Sequence, residues 1–167
     1  NAYGYRKVLY MSETGKIYMI DTNMNVMFTG MKTDMKGTTD TLLDGEHIVY
    51  DKSGKLLNMY AAFDIYFKYK KPMRGFEFTK TAEAEKIEEE KEEGEVKQYR
   101  LDLLYEFIRD LRPKSVVEKA SNPEVSKEKN DKTLPVQIKC KEFYQDSDET
   151  TIFDGCAKIL SNVNDGL

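Results

Sequence analysis

The sequence predicts an α+β fold, with an antiparallel β core in its first half and two helices packed against that core. Three observations carry the prediction. Short runs of β-branched and aromatic residues alternate with turn residues between Lys7 and Phe67. Leu101, Leu104, Tyr105, Ile108 and Leu111 recur at three- and four-residue spacing, as one face of a helix does. A similar run, Ile152, Phe153, Cys156, Ile159 and Leu160, follows near the end.

Taken in order, residues 8–11 and 16–20 read as a hairpin, with Gly15 closing the turn Ser12-Glu13-Thr14-Gly15. A third strand covers residues 26–28, and a polar loop from Gly30 to Asp40 leads to the apolar phrase that starts at Thr41 and ends at Tyr50. The turn Asp51-Lys52-Ser53-Gly54-Lys55 introduces a strand over residues 56–67. Met19, Met24, Met27, Met31 and Met35 read as flexible core filler. Residues 80–97 are dominated by Glu and Lys and bury too little to pack, so they read as a solvated helix or insertion. Pro113 limits the helix that ends near Leu111. Residues 114–133 are polar and loop-like, residues 135–144 alternate as a strand, and Asp146-Ser147-Asp148-Glu149 reads as a reciprocally capped start of the last helix. No internal repeat is visible.

Bulk composition excludes several classes. Only two cysteines, Cys140 and Cys156, and one histidine, His47, occur in 167 residues, which leaves neither a disulfide framework nor a zinc ligand set. A reducing compartment fits. With 34% charged residues and only short apolar runs, the chain predicts a soluble protein with no membrane partner. A net charge of −4 argues against a surface that is nucleic-acid platform throughout, while leaving room for a local basic groove.

Four phrases then stand in a set order: Gly4-Tyr5-Arg6, Asp44-Gly45-Glu46, Tyr60-x-x-Phe63-Asp64 and Asp165-Gly166-Leu167. In this they resemble the covalent nucleotidyltransferase superfamily, which comprises mRNA capping guanylyltransferases and the ATP-dependent or NAD-dependent polynucleotide ligases. Leu42-Leu43-Asp44-Gly45-Glu46 and Lys139-Cys140-Lys141-Glu142-Phe143-Tyr144 look most like the guanylyltransferases of large DNA viruses. The resemblance implies a ligase-type, ATP-grasp-like nucleotidyltransferase domain, partial over residues 1–167, with charged insertions at about 80–97 and 114–133.

It further implies transfer of GMP from GTP, with Mg2+ or Mn2+, through a lysyl-GMP intermediate to the 5′ diphosphate end of mRNA. The resemblance leaves room for fused triphosphatase and methyltransferase domains in the parent chain, which the sequence does not decide, and the location would be the cytoplasmic viral factory or the virion. By the same resemblance Arg6 contacts ribose and phosphate, Glu46 accepts a ribose hydroxyl, Tyr60 stacks on the purine, Asp64 stands nearby, and Asp165 serves the metal and the nucleophile. Lys139 and Lys141 read either as solvated charge or as phosphate contacts, and His47 as packed or surface histidine on the strand face opposite Glu46.

The departures are at the ends. Aligning Gly4 and Arg6 on the family's opening Lys-x-Asp-Gly-x-Arg places Asn1 at the nucleophilic lysine and Tyr3 at its aspartate, and an amide cannot form the phosphoramidate. The closing Lys-x-Lys is missing, so the chain reads as an internal fragment, inactive alone. The alternatives are an ATP-dependent polynucleotide ligase and a degenerate, non-catalytic nucleotide-binding domain.

Overall fold

The computed structural model describes residues 4–80, 97–117, 134–144 and 151–164. Its strands are β1 (Tyr5–Met11), β2 (Lys16–Asp21), β3 (Val26–Lys32), β4 (Thr41–Tyr50), β5 (Leu56–Lys68), β6 (Lys71–Pro72), β7 (Lys114–Ser115) and β8 (Gln137–Cys140). The helices are α1 (Arg100–Leu111) and α2 (Ile152–Asn164). The strands form one sheet in the order β6-β5-β4-β1-β2-β3-β7, antiparallel throughout, to which β8 adds by pairing parallel to β5. The fold is therefore α+β with a mostly antiparallel sheet.

Alternation along β1, β2 and β4 sends Leu9, Met11, Ile17, Met19 and Leu43 to one face, where all are fully buried or nearly so. α1 covers that face with Leu103, Leu104, Phe107 and Leu111. Each such side chain contributes roughly 1.5–3 kcal/mol by leaving water. The apolar stripe differs from the predicted one, since Tyr105 is exposed and Leu101 and Ile108 are only half-buried. The helix is apolar over a wide arc, and the sheet selects which part of it is covered. It stops at Arg112, in the left-handed region at φ 39°, because the proline that follows disfavours helical geometry there.

Several expectations need correction. β3 runs on to Lys32 instead of yielding to a loop at Gly30, with Thr29 and Gly30 as the extra residues of an irregularity opposite Ile17 and Tyr18 of β2. Thr29 fills the irregularity by donating its hydroxyl to the Ile17 carbonyl at 2.8 Å. Lys114 and Ser115 pair with β3 rather than lying in a loop, and the strand expected over residues 135–144 is confined to β8. α2 forms, but Ile152, Phe153, Ile159 and Leu160 are exposed, so it does not pack its apolar face on the core. Its reciprocal cap is Thr151 with Asp154: the Thr151 N–H donates to the Asp154 carboxylate at 3.0 Å and the Asp154 N–H to the Thr151 hydroxyl at 3.3 Å. The predicted cap at Asp146–Glu149 and most of both charged insertions lie outside the described residues. Of the methionines, Met19 and Met31 are core, while Met24 and Met27 are exposed.

β5 is the irregular strand. Its register against β4 passes from Ala62 to Asp64 and from Ile65 to Phe67 while β4 advances by one residue each time. Phe63 and Tyr66 are thus the extra residues of two β-bulges, a device that re-aims side chains.

Candidate functional site

The antiparallel register of β1 and β4 sets Arg6 opposite Glu46 and Val8 opposite Asp44. Asp44 and Glu46, two residues apart, share the sheet face that α1 leaves uncovered, and Arg6 reaches diagonally across it. Its Nε and Nη2 donate to the two Asp44 oxygens at 3.3 and 2.6 Å. The Tyr66 hydroxyl donates to the same carboxylate and lies 3.3 Å from Arg6 Nη2. Asp44 also accepts from the Gly45 N–H at 3.0 Å.

Burial is asymmetric across this pair: the Asp44 side chain is 1% exposed and that of Arg6 63%. A buried carboxylate must keep its donors, whereas a solvated guanidinium can turn to another anion. Asp44 therefore acts as an anchor that aims Arg6. Hydrogen bonding and charge from Asp44 raise the Arg6 pKa, and burial, followed by the Asp44 contact, raises that of Tyr66.

Glu46 lies against a second group. Lys141 Nζ stands 3.6 Å from Glu46 Oε2 and 5.9 Å from the centre of the Phe63 ring. The Lys141 N–H donates to the Ala62 carbonyl, which continues the parallel pairing one residue beyond β8. Gly4 abuts Glu46 so closely that an added Cβ would sit 2.9 Å from Glu46 Cβ. On the far side, the Arg74 guanidinium lies over the Tyr66 ring at 4.5 Å.

Tyr60 does not join these residues. It is fully buried, and its ring end occupies the space that a Gly45 side chain would take, 2.6 Å from an ideal Cβ there. Because Gly45 alternates with Asp44 and Glu46, the ring lies on the opposite, core face of the sheet. Its hydroxyl donates to the Lys7 and Leu43 carbonyls at 2.8 and 3.1 Å. The ring that shares Lys141 with Glu46 is Phe63, two residues along β5 from Ala61, the register partner of Glu46. Burial raises the Tyr60 pKa beyond any working range.

Asp64 is the register partner of Asp44, yet its carboxylate turns to Arg100 of α1, whose Nε and Nη2 meet it at 2.9 and 3.1 Å. It fastens the helix to the sheet. His47 is buried on the face opposite Glu46, with Nδ1 3.1 Å from Lys7 Nζ and Nε2 2.8 Å from Asn58 Oδ1. Lys7 can only donate, so Nδ1 accepts and Nε2 carries the proton. Lys139 is exposed.

Asn1, Tyr3 and Asp165 lie outside the described residues. Among the described residues no three His, Cys, Asp or Glu side chains converge as a metal site would require. Asp44 directs its oxygens to Arg6, Tyr66 and Gly45, and Glu46 faces Lys141, so these carboxylates do not fit a divalent cation. Asp44, Phe63, Tyr66 and Arg74 were not expected as site residues. For Asp44 the signal is present, a carboxylate two positions from Glu46 on one strand, and Phe63 shares the face of Ala61 by alternation, but the bulges that bring Tyr66 to Asp44 leave no mark in the pattern. No protein-family model matches the chain, and no curated protein matches its sequence.

Proposed function

We propose that this chain is part of a covalent nucleotidyltransferase domain of the mRNA guanylyltransferase type, and that the uncovered face of β1, β4 and β5 binds GTP. The observation that carries the proposal is the direct pairing of Arg6 with Glu46 across two strands on an accessible sheet face. A carboxylate there can accept ribose hydroxyls, and a solvated guanidinium fork suits phosphate oxygens. The Phe63 ring, rather than Tyr60, is available to a purine base. Mg2+ or Mn2+ would accompany the triphosphate, and the acceptor would be the 5′ diphosphate end of mRNA.

In the full reaction a neutral lysine amine attacks the α-phosphorus, pyrophosphate leaves, and GMP remains on the nitrogen until the RNA diphosphate displaces it. Asn1 cannot make that bond, so the chain as written binds nucleotide without becoming labelled. Asn1 with Tyr3 also favours a second reading, a degenerate domain that binds nucleotide only.

Equilibrium titration with GTP, with ATP as competitor, tests the proposal. GTP is expected to bind in preference to ATP, and Glu46→Ala and Arg6→Ala should each weaken it about tenfold or more. Absence of GTP binding, or indifference to both substitutions, would overturn the site. A preference for ATP would favour the ligase. Restoring the opening motif with Asn1→Lys and Tyr3→Asp in the parent protein should then produce a GMP adduct stable to denaturation. Failure of that adduct while binding persists selects the degenerate reading.

A further inference from the structure

We infer that Arg6, held by Asp44 at the Tyr66 hydroxyl, and Arg74, over the Tyr66 ring, form a subsite for a terminal phosphate oxyanion. The inference rests on the nucleotide reading above for its biological ligand and shares Arg6 with it, but Tyr66 and Arg74, which that reading does not use, carry its geometry. Tyr66 is the bulge residue that turns its phenol to the uncovered face, where the hydroxyl meets Asp44 and Arg6 Nη2. Arg74, exposed, lies over the same ring with its carbon 4.5 Å from the centroid. A guanidinium held near a ring by cation–π attraction has five N–H donors, more than the ring engages, so donors remain for an anion.

Two guanidiniums thus approach one phenol from its hydroxyl end and its face. Asp44 pairs with Arg6, and Glu46 faces Lys141. Arg6, Arg74 and Lys141 against Asp44 and Glu46 leave an excess of positive charge on this part of a chain whose net charge is −4. Local reversal of the overall sign concentrates anions at that point. The planar forks favour an oxyanion with several equivalent oxygens, which a phosphate supplies. Two sources share that chemistry: the polyphosphate tail of the nucleotide and the diphosphate end of the RNA.

The test uses inorganic tripolyphosphate, guanosine, GTP and short RNAs of one sequence ending in 5′-diphosphate or 5′-hydroxyl, titrated into the chain and its variants. Arg74→Ala should weaken tripolyphosphate binding about tenfold or more, the usual cost of charge-assisted hydrogen bonds, and leave guanosine unaffected. Arg74→Lys should restore only part, because an ammonium keeps the charge but lacks the planar fork of donors. Tyr66→Phe, which keeps the ring under Arg74 and removes the hydroxyl, should give a smaller loss. An Arg74→Ala penalty in GTP binding assigns the subsite to the donor, and one confined to the diphosphate RNA assigns it to the acceptor; either supports the inference. Tripolyphosphate binding that ignores Arg74→Ala overturns it, even if GTP still binds and still needs Glu46. Tripolyphosphate binding that needs Arg74, with no gain in affinity for GTP and none for guanosine, upholds the subsite and sinks the nucleotide reading instead.

Discussion

Asp44 shows how one side chain serves stability and site together. Its carboxylate is buried and accepts from Arg6, Tyr66 and Gly45, so its removal strands a phenol and releases a guanidinium. Arg6 is well exposed and recovers solvation, which discounts the cost of the broken ion pair. Asp44→Ala is expected to destabilise the fold by about 1–3 kcal/mol in denaturant melts, with GTP binding falling alongside because Arg6 is no longer aimed. An Asp44→Ala protein as stable as the parent would refute the anchor. The Asp-Gly-Glu phrase was readable as a site, yet two of its residues have steric and hydrogen-bonding work of their own. A Cβ at Gly45 would meet the Ala61 carbonyl oxygen and the Tyr60 ring, each at 2.6 Å. The glycine is therefore needed to let Tyr60 stand beneath β4. That same contact explains why Tyr60, expected against the purine, is found in the core.

Among the elements, the strand hairpins and their turns were legible because their signals are local. Gly15 at φ 76° and Gly54 at φ 83° occupy the turn positions where the pattern put them. β5 was legible as a strand but not in its register, since a one-residue slip reverses which side chains face the core. Nothing in Tyr60-Ala61-Ala62-Phe63-Asp64-Ile65-Tyr66 marks Phe63 and Tyr66 as the bulged pair. Asp64 follows from the same geometry: its fork with Arg100 is largely buried on both sides, at 16% and 19% exposure, and it ties α1 to β5. Asp64→Ala should cost about 1–3 kcal/mol of stability and leave GTP affinity within a factor of two or so. A large loss of affinity in a folded Asp64→Ala protein would return that residue to the site.

The contact between β8 and α1 makes a pH-dependent prediction. Cys140 Sγ lies 3.9 Å from the Leu104 carbonyl, and burial pushes its thiol from 9.0 up to about 11. The fold favours the neutral thiol, so the associated stability is complete below pH 9 and is lost as pH rises through about 11. At pH 8, alkylation of Cys140 by iodoacetamide should be about 100-fold slower in the folded chain than in denaturant, from thiolate fraction alone. Equal rates in the two states would mean that β8 does not hold its place against α1.

At the scale of the whole molecule, an eight-stranded sheet carries one helix on one face and the candidate site on the other. Strand alternation and helical spacing announced a mixed fold, but the strand order and the parallel union of β5 with β8 depend on pairings far apart in the chain, which no local pattern encodes. The second helix is where sequence and packing diverge most. Its apolar spacing suffices to form α2, and the Thr151–Asp154 cap helps to start it. Yet Ile152, Phe153, Ile159 and Leu160 remain 48–80% exposed. Among the described residues α2 buries only Gly155, against Tyr144, which leaves little to hold it, because most helical stability in proteins comes from packing. Local opening should accordingly be easy in α2 and hard in β1, β4, β5 and α1, whose side chains form the continuous core. Native-state amide exchange is expected to release the α2 amides first, while those of β4, β5 and α1 exchange last and together, near the global unfolding limit. Protection of α2 comparable to that of α1 would show that its apolar side chains are covered in solution, and the division of the sheet into a covered and an open face would have to be redrawn.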